Sequence, residues 1–100
     1  MEPIFHITDA PQWYAAAATG VYTGSTRGKT LDDVGFIHCS YDHQVERTAK
    51  FVYGDSDDEL VLLTIDPSLV DAPIKVESEF PHIYGPLTVN AVVAVQPYRA

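Results

Sequence analysis

Leu60-Val61-Leu62-Leu63-Thr64-Ile65 is the stretch that decides the fold. Six residues is a strand's length rather than a helix's, and β-branched residues make up half of it. A strand wetted on one side alternates apolar and polar residues. One that does not alternate is covered on both faces, so this run reads as a central strand. Asp66-Pro67 ends it, because the residue before a proline is driven to extended backbone and proline has no N–H to give.

Upstream of that strand lies an acidic loop, Asp55 to Glu59, and before it a helix from Tyr41 to Tyr53. Tyr41, Val45, Ala49 and Val52 fall near one face of this helix, while Glu46 and Lys50 form an exposed i,i+4 pair. Ser40 is placed to cap it and Gly54 to close it. Gly35 to Cys39 reads as a strand, preceded by a polar, glycine-bearing connection from Val21 to Val34. A first helix, Gln12 to Thr19, has Asp9 as its cap, Pro11 in its first turn, Gly20 at its stop and Trp13 as its anchor to the core. The β-branched and aromatic segment Pro3 to Thr8 reads as the opening strand. Downstream, Ile74 to Glu77 is a short strand, Phe80 to Pro86 an ordered loop and Thr88 to Val95 a long final strand. Two helices and four to six strands give a single α+β domain over residues 1–100, built on a small split or mixed sheet.

Composition excludes several classes. Apolar residues make up 46% of the chain, which suits a globular domain and not a disordered one. A chain of this size buries roughly two thirds of its unfolded surface, enough for one core. The longest strongly apolar run, Ala91 to Val95, is far short of the ~20 residues of a spanning helix, so no membrane association is expected. No basic region followed by an apolar stretch opens the chain, and its one cysteine has no internal partner, so a reducing cytoplasm is the expected compartment. The net charge is −8 with six scattered basic residues, which argues against nucleic acid as a partner. Arg27, Lys29 or Arg47 could still hold one small anion. Nothing in the sequence identifies a protein partner.

The residues with chemical potential are the histidines. His6, His38 and His82 each sit among apolar neighbours, where imidazole is costly unless hydrogen-bonded. Alternation puts Phe36 and His38 on one face of their strand and Ile37 and Cys39 on the other. With strands side by side, His6 and His38 open onto one cleft and His82 joins them. Three histidines would also satisfy zinc, but no His-x-x-x-His or Cys-x-x-Cys spacing is present, so no metal is expected. Cys39 cannot use its neighbour His38 as a base, since adjacent strand residues point apart; it reads as a small core residue. Gly24-Ser-Thr-Arg-Gly-Lys-Thr30 has three residues where a phosphate-binding loop has four, and is not one. Glu77 and Glu79 precede His82 and are placed to act as a general base or a ribose ligand.

Three segments carry a resemblance. Phe5-His6-Ile7-Thr8, Gly35-Phe36-Ile37-His38-Cys39-Ser40 and Pro81-His82-Ile83-Tyr84-Gly85-Pro86-Leu87 resemble the three signatures of a chiefly bacterial, uncharacterised family, domain of unknown function nine-five-two. That family has been likened to the ADP-ribosyltransferases, small split-sheet domains that bind NAD in a cleft. The likeness implies that His6, with Thr8, contacts the adenosine ribose. It places His38 and Ser40 at the nicotinamide end and puts His82 and Tyr84 nearest the third motif. Ile7 stands where the transferases have glycine, and their catalytic glutamate has no match here.

Three functions follow as expectations. The first is a transferase acting on NAD or an ADP-ribose-like substrate, with His38, His82, Tyr84, Glu77 and Glu79 as its catalytic set. The second is a non-catalytic module that binds a nucleotide or another small polar ligand in the same histidine-lined cleft. The third is a metal-binding or purely structural domain.

Overall fold

A computed structural model describes residues 2–25 and 29–99. Arg27, an expected anion contact, lies outside the described residues. The opening strand β1 (Ile4–Asp9) runs into helix α1 (Ala10–Thr19). The Asp9 side chain accepts the Gln12 N–H at 3.1 Å, Pro11 occupies the first turn, and Gly20 stops the helix at φ 93°. That left-handed conformation is one that glycine adopts without the penalty of a Cβ. Trp13 is buried, as expected of the anchor.

The connection that follows is more structured than its composition indicates. It contains β2 (Val21–Tyr22), a bridge between Gly24 and Thr30, and the short helix α2 (Leu31–Val34). Strand β3 (Ile37–His38) and helix α3 (Val45–Tyr53) come next. Ser40 does not cap α3. Its backbone pairs with Phe5 and its hydroxyl donates to Thr48 at 3.1 Å. A 3₁₀ turn, Asp42–Gln44, leads into α3 instead, with the Gln44 side chain accepting the Tyr41 N–H at 2.8 Å.

The decisive run forms β4 (Leu60–Ile65), the middle strand of an antiparallel sheet ordered β1-β4-β8, where β8 is Val92–Tyr98. Both faces of β4 are covered, which is why its sequence does not alternate. Val61, Leu63 and Ile65 face a core shared with Trp13, Tyr22, Ile37 and Ile83. Leu60 and Leu62 face a second cluster with Ile7 and the α3 residues Val45, Ala49 and Tyr53.

Strand β5 (Ile74–Glu77) pairs with β6 (Phe80–Ile83), which also pairs with β3 in a second sheet ordered β3-β6-β5. This corrects the expectation of a loop from Phe80 to Pro86. Glu77 and Phe80 close a two-residue hairpin in which Ser78 (φ 51°) and Glu79 (φ 72°) both take positive φ. Pro81 fits because it sits opposite Val76 in β5, and on its other side its carbonyl accepts the Cys39 N–H at 2.9 Å. Proline cannot return that bond, so the β3–β6 ladder stops and β3 stays short. The expected final strand is broken in two: β7 (Leu87–Thr88) pairs with β2, a 3₁₀ turn covers Val89–Ala91, and β8 follows. The domain is α+β, and every pairing among the described strands is antiparallel rather than mixed.

Candidate functional site

Alternation in β3 and β6 sorts their side chains onto two faces. Ile37, Pro81 and Ile83 point into the core; Phe36, His38, Phe80, His82 and Tyr84 cover the outer face. His38 lies directly across from His82, their ring centroids 5.3 Å apart and nearly perpendicular. Phe80 stands 5.0 Å from His38, and Phe36 stands 4.7 Å from His82. These separations suit edge-to-face and tilted aromatic contacts. His82 is buried within this layer, its Nδ1 donating to the Phe80 carbonyl at 2.8 Å, while His38 is half-buried. Burial, and next the His82 charge, push the His38 pKa down. Desolvation disfavours an imidazolium, so His38 presents a neutral ring that can donate or accept.

Helix α3 forms the facing wall. Its core stripe docks on the first sheet, which leaves a second stripe, Arg47, Thr48, Phe51 and Val52, turned toward the aromatic layer. Between that stripe and Phe36, His38 and Phe80 lies a cleft of about 680 Å³, which Val34 and Lys29 also line. Its size falls within the usual ~300–1,000 Å³ of small-molecule sites. The cleft offers flat apolar surface, one neutral imidazole, one hydroxyl and two cations. Lys29 and Arg47 are two of the three basic residues that the sequence singles out for an anion. Phe51 is 89% exposed at the rim, a large apolar group held in water.

The other expected site residues go elsewhere. His6 does not open onto this cleft, contrary to expectation. It is 3% exposed, on the core face of β1, with Nδ1 2.7 Å from the His38 carbonyl and Nε2 2.9 Å from the Tyr22 hydroxyl. The slit it shares with Ser40 and Thr48 measures about 20 Å³, room for about one water. Burial, opposed by its bond to the His38 carbonyl, pushes its pKa down to about 4. Thr8 is buried beside it, its hydroxyl 2.9 Å from the Tyr22 hydroxyl. Ser40 is buried between β1 and α3.

Tyr84 donates its hydroxyl to Glu77, which holds the phenol pKa up, and Lys75 lies 5.2 Å over its ring. Glu79 occupies the exposed hairpin turn, where its carbonyl accepts from the Gln44 side chain. Neither Glu77 nor Glu79 lines the cleft. Cys39 is fully buried on the face opposite His38, where burial pushes its thiol pKa up. Among the described residues no three His, Cys, Asp or Glu side chains gather as a metal site. Nor is any helix long and apolar enough to cross a membrane.

Sequence reasoning missed Phe80, Thr48, Phe51 and Val52. The i,i+4 pairs Arg47/Phe51 and Thr48/Val52, lying beside the core stripe of α3, are the signal that could have found them. It also missed Tyr22, fully buried although it lies in a polar connection.

Known proteins add a family and a fold. The CC0527 protein of Caulobacter crescentus is similar in its crystal structure, with a TM-score of 0.71, 33% identity and coverage of 95% of this chain and 84% of that one. A double mutant of CC0527 gives the same values. Its solution NMR structure gives a TM-score of 0.66 at 33% identity, covering 96% of this chain and 84% of that one. No curated protein matches. The family described as "Protein of unknown function (DUF952)" matches residues 7–95, including the aromatic layer, α3 and the whole cleft between them, and the chain belongs to that family.

Proposed function

We propose that this protein binds a small anionic ligand carrying a flat ring, of the nucleotide class, in the cleft between α3 and the outer face of β3 and β6. The observation that carries this reading is the juxtaposition of Lys29 and Arg47 with Phe36, His38 and Phe80 around one open volume. The rings offer stacking surface to a base, and the cations offer charge to a phosphate. On a chain of net charge −8, two cations lining one cleft also set where an anion is drawn.

Within that class, the likeness to ADP-ribosyltransferases points to NAD or ADP-ribose. Binding is favoured over transfer, because glycosyl transfer through an oxocarbenium-like state calls for a carboxylate. No Asp or Glu is among the described residues lining the cleft. His38 replaces His6 as the imidazole that meets the ligand.

Isothermal titration and thermal shift with AMP, ADP-ribose and NAD, each beside adenosine and inorganic phosphate, test the reading. Saturable binding of the nucleotides, weakened by salt and by Phe80→Ala or Arg47→Ala, is expected. No binding by any of the three, or binding indifferent to both substitutions, rules it out. Release of nicotinamide from NAD would restore the transferase reading.

A further inference from the structure

The two main sheets meet along β1 and β3, yet among the described residues they share a single bridge, Phe5–Ser40. Beyond that bridge the strands diverge. In the β3–β6 ladder the Cys39 N–H reaches the Pro81 carbonyl, so Ile37 and Cys39 turn their backbone groups toward β6. Alternation then turns the His38 carbonyl the other way, toward β1. Among the described residues no backbone N–H of β1 pairs with it. The His6 ring fills the opening and takes that carbonyl at 2.7 Å.

The protons in this region can be counted. A carbonyl only accepts, so His6 Nδ1 carries a hydrogen. A buried histidine with its pKa near 4 has a single ring proton at neutral pH, which leaves Nε2 as a bare acceptor. The Tyr22 hydroxyl, 2.9 Å away and kept protonated by burial, must donate to it. Tyr22 has then spent its proton and accepts from Thr8 at 2.9 Å. Thr8 has likewise spent its own, so the Gln12 amide, 3.1 Å away, must present its NH₂ group rather than its oxygen. The half-buried Gln12 borders a surface hollow of about 240 Å³, where the chain of donors begins.

We propose that His6 is a positioning residue: a one-way chain of donors, Gln12 to Thr8 to Tyr22 to His6, fixes its Nδ1–H on the His38 carbonyl and thereby holds the His38 ring in the cleft. The geometry of the chain is independent of any ligand; its purpose rests on the cleft being the binding site.

Long-range ¹H–¹⁵N correlation of the histidine rings in the unsubstituted protein gives the primary test. His6 is expected as the Nδ1–H tautomer at pH 7 and still so at pH 5; the Nε2–H tautomer would overturn the inference. Tyr22→Phe removes the donor to Nε2. It should move the His38 ring resonances and weaken AMP binding about ten-fold in a protein still folded by circular dichroism, as expected when the support of a contact residue is removed. Unchanged His38 resonances in that variant would also overturn it. His6→Asn, whose amide can still donate to the carbonyl, should keep the His38 resonances in place. The two readings fail separately: an unsubstituted protein that ignores AMP defeats the binding cleft, whereas the tautomer and the His38 resonances alone decide the donor chain.

Discussion

Acid should destabilise this protein through His6, by an amount the structure sets. The ring titrates at about 4 in the folded chain against 6.5 when exposed. Between those values the unfolded chain binds a proton that the folded chain refuses, so stability rises with pH across this window. The contribution is fully present above pH 6.5 and is lost as pH falls toward 4. Each pH unit is worth about 1.4 kcal/mol per proton, so the whole window amounts to roughly 3 kcal/mol and the interval from pH 6.5 to 5 to roughly 2 kcal/mol. A single domain of this length has only about 5–15 kcal/mol in total, so the effect is large. The many carboxylates titrate in the same range, so the perturbation needs a reference. His6→Asn keeps a donor for the His38 carbonyl but has no titrating ring. Urea unfolding of both proteins at half-unit steps from pH 7 to 4.5, at fixed salt, gives the difference in stability at each pH. That difference should change by roughly 2 kcal/mol between pH 6.5 and 5, with the unsubstituted protein losing more. A difference that stays flat across the range would mean that His6 is protonated without penalty, and the account of a neutral ring sealed between Tyr22 and the His38 carbonyl would be wrong.

Four further outcomes follow from particular contacts. Leu63, fully buried in the middle of β4, should cost about 2–5 kcal/mol when cut to alanine, read by urea unfolding. Glu79→Gly should stabilise the fold by up to about 1 kcal/mol, because the hairpin holds Glu79 at φ 72°, where a side chain is strained; a lowered melting temperature would contradict this. Gly24→Ala should destabilise by about 1–3 kcal/mol, since a Cβ there would lie 2.6 Å from the Tyr22 hydroxyl and push on the donor chain. Phe51→Ser, at an 89% exposed position, should leave the melting temperature within about 1 °C while weakening nucleotide binding, because Phe51 lines the cleft without packing in the core.

The apolar pattern announced the central strand and placed Val45 and Ala49 on the core stripe of α3, and Asp9 and Gly20 framed α1; Tyr53, buried on that stripe, was not on the expected face, and Val52, which was, also borders the cleft. Leu60 to Ile65 needed no partner to be recognised, since a strand that does not alternate apolar and polar residues has no wet face. The outer face of β3 was equally legible: alternation alone separated Phe36 and His38 from Ile37 and Cys39. Phe80 to Pro86 was not, because two prolines and a glycine carry the composition of a loop. Pro81 is tolerated in a strand only where the missing N–H falls at the end of a ladder, and the ladder's end depends on which strand lies alongside.

The same dependence separates His6 from His38. Both are histidines in short strands with aromatic and aliphatic neighbours, so local sequence treats them alike. Local sequence determined which side chains share a face of each strand, because the direction of a Cβ alternates with backbone geometry alone. The tertiary structure decided which face meets water: the packing of α1 and Tyr22 over one side of β1 seals His6, and the stand-off of α3 from β3 leaves His38 open. Burial belongs to pairs of elements far apart along the chain, and no window of sequence contains both members of the pair.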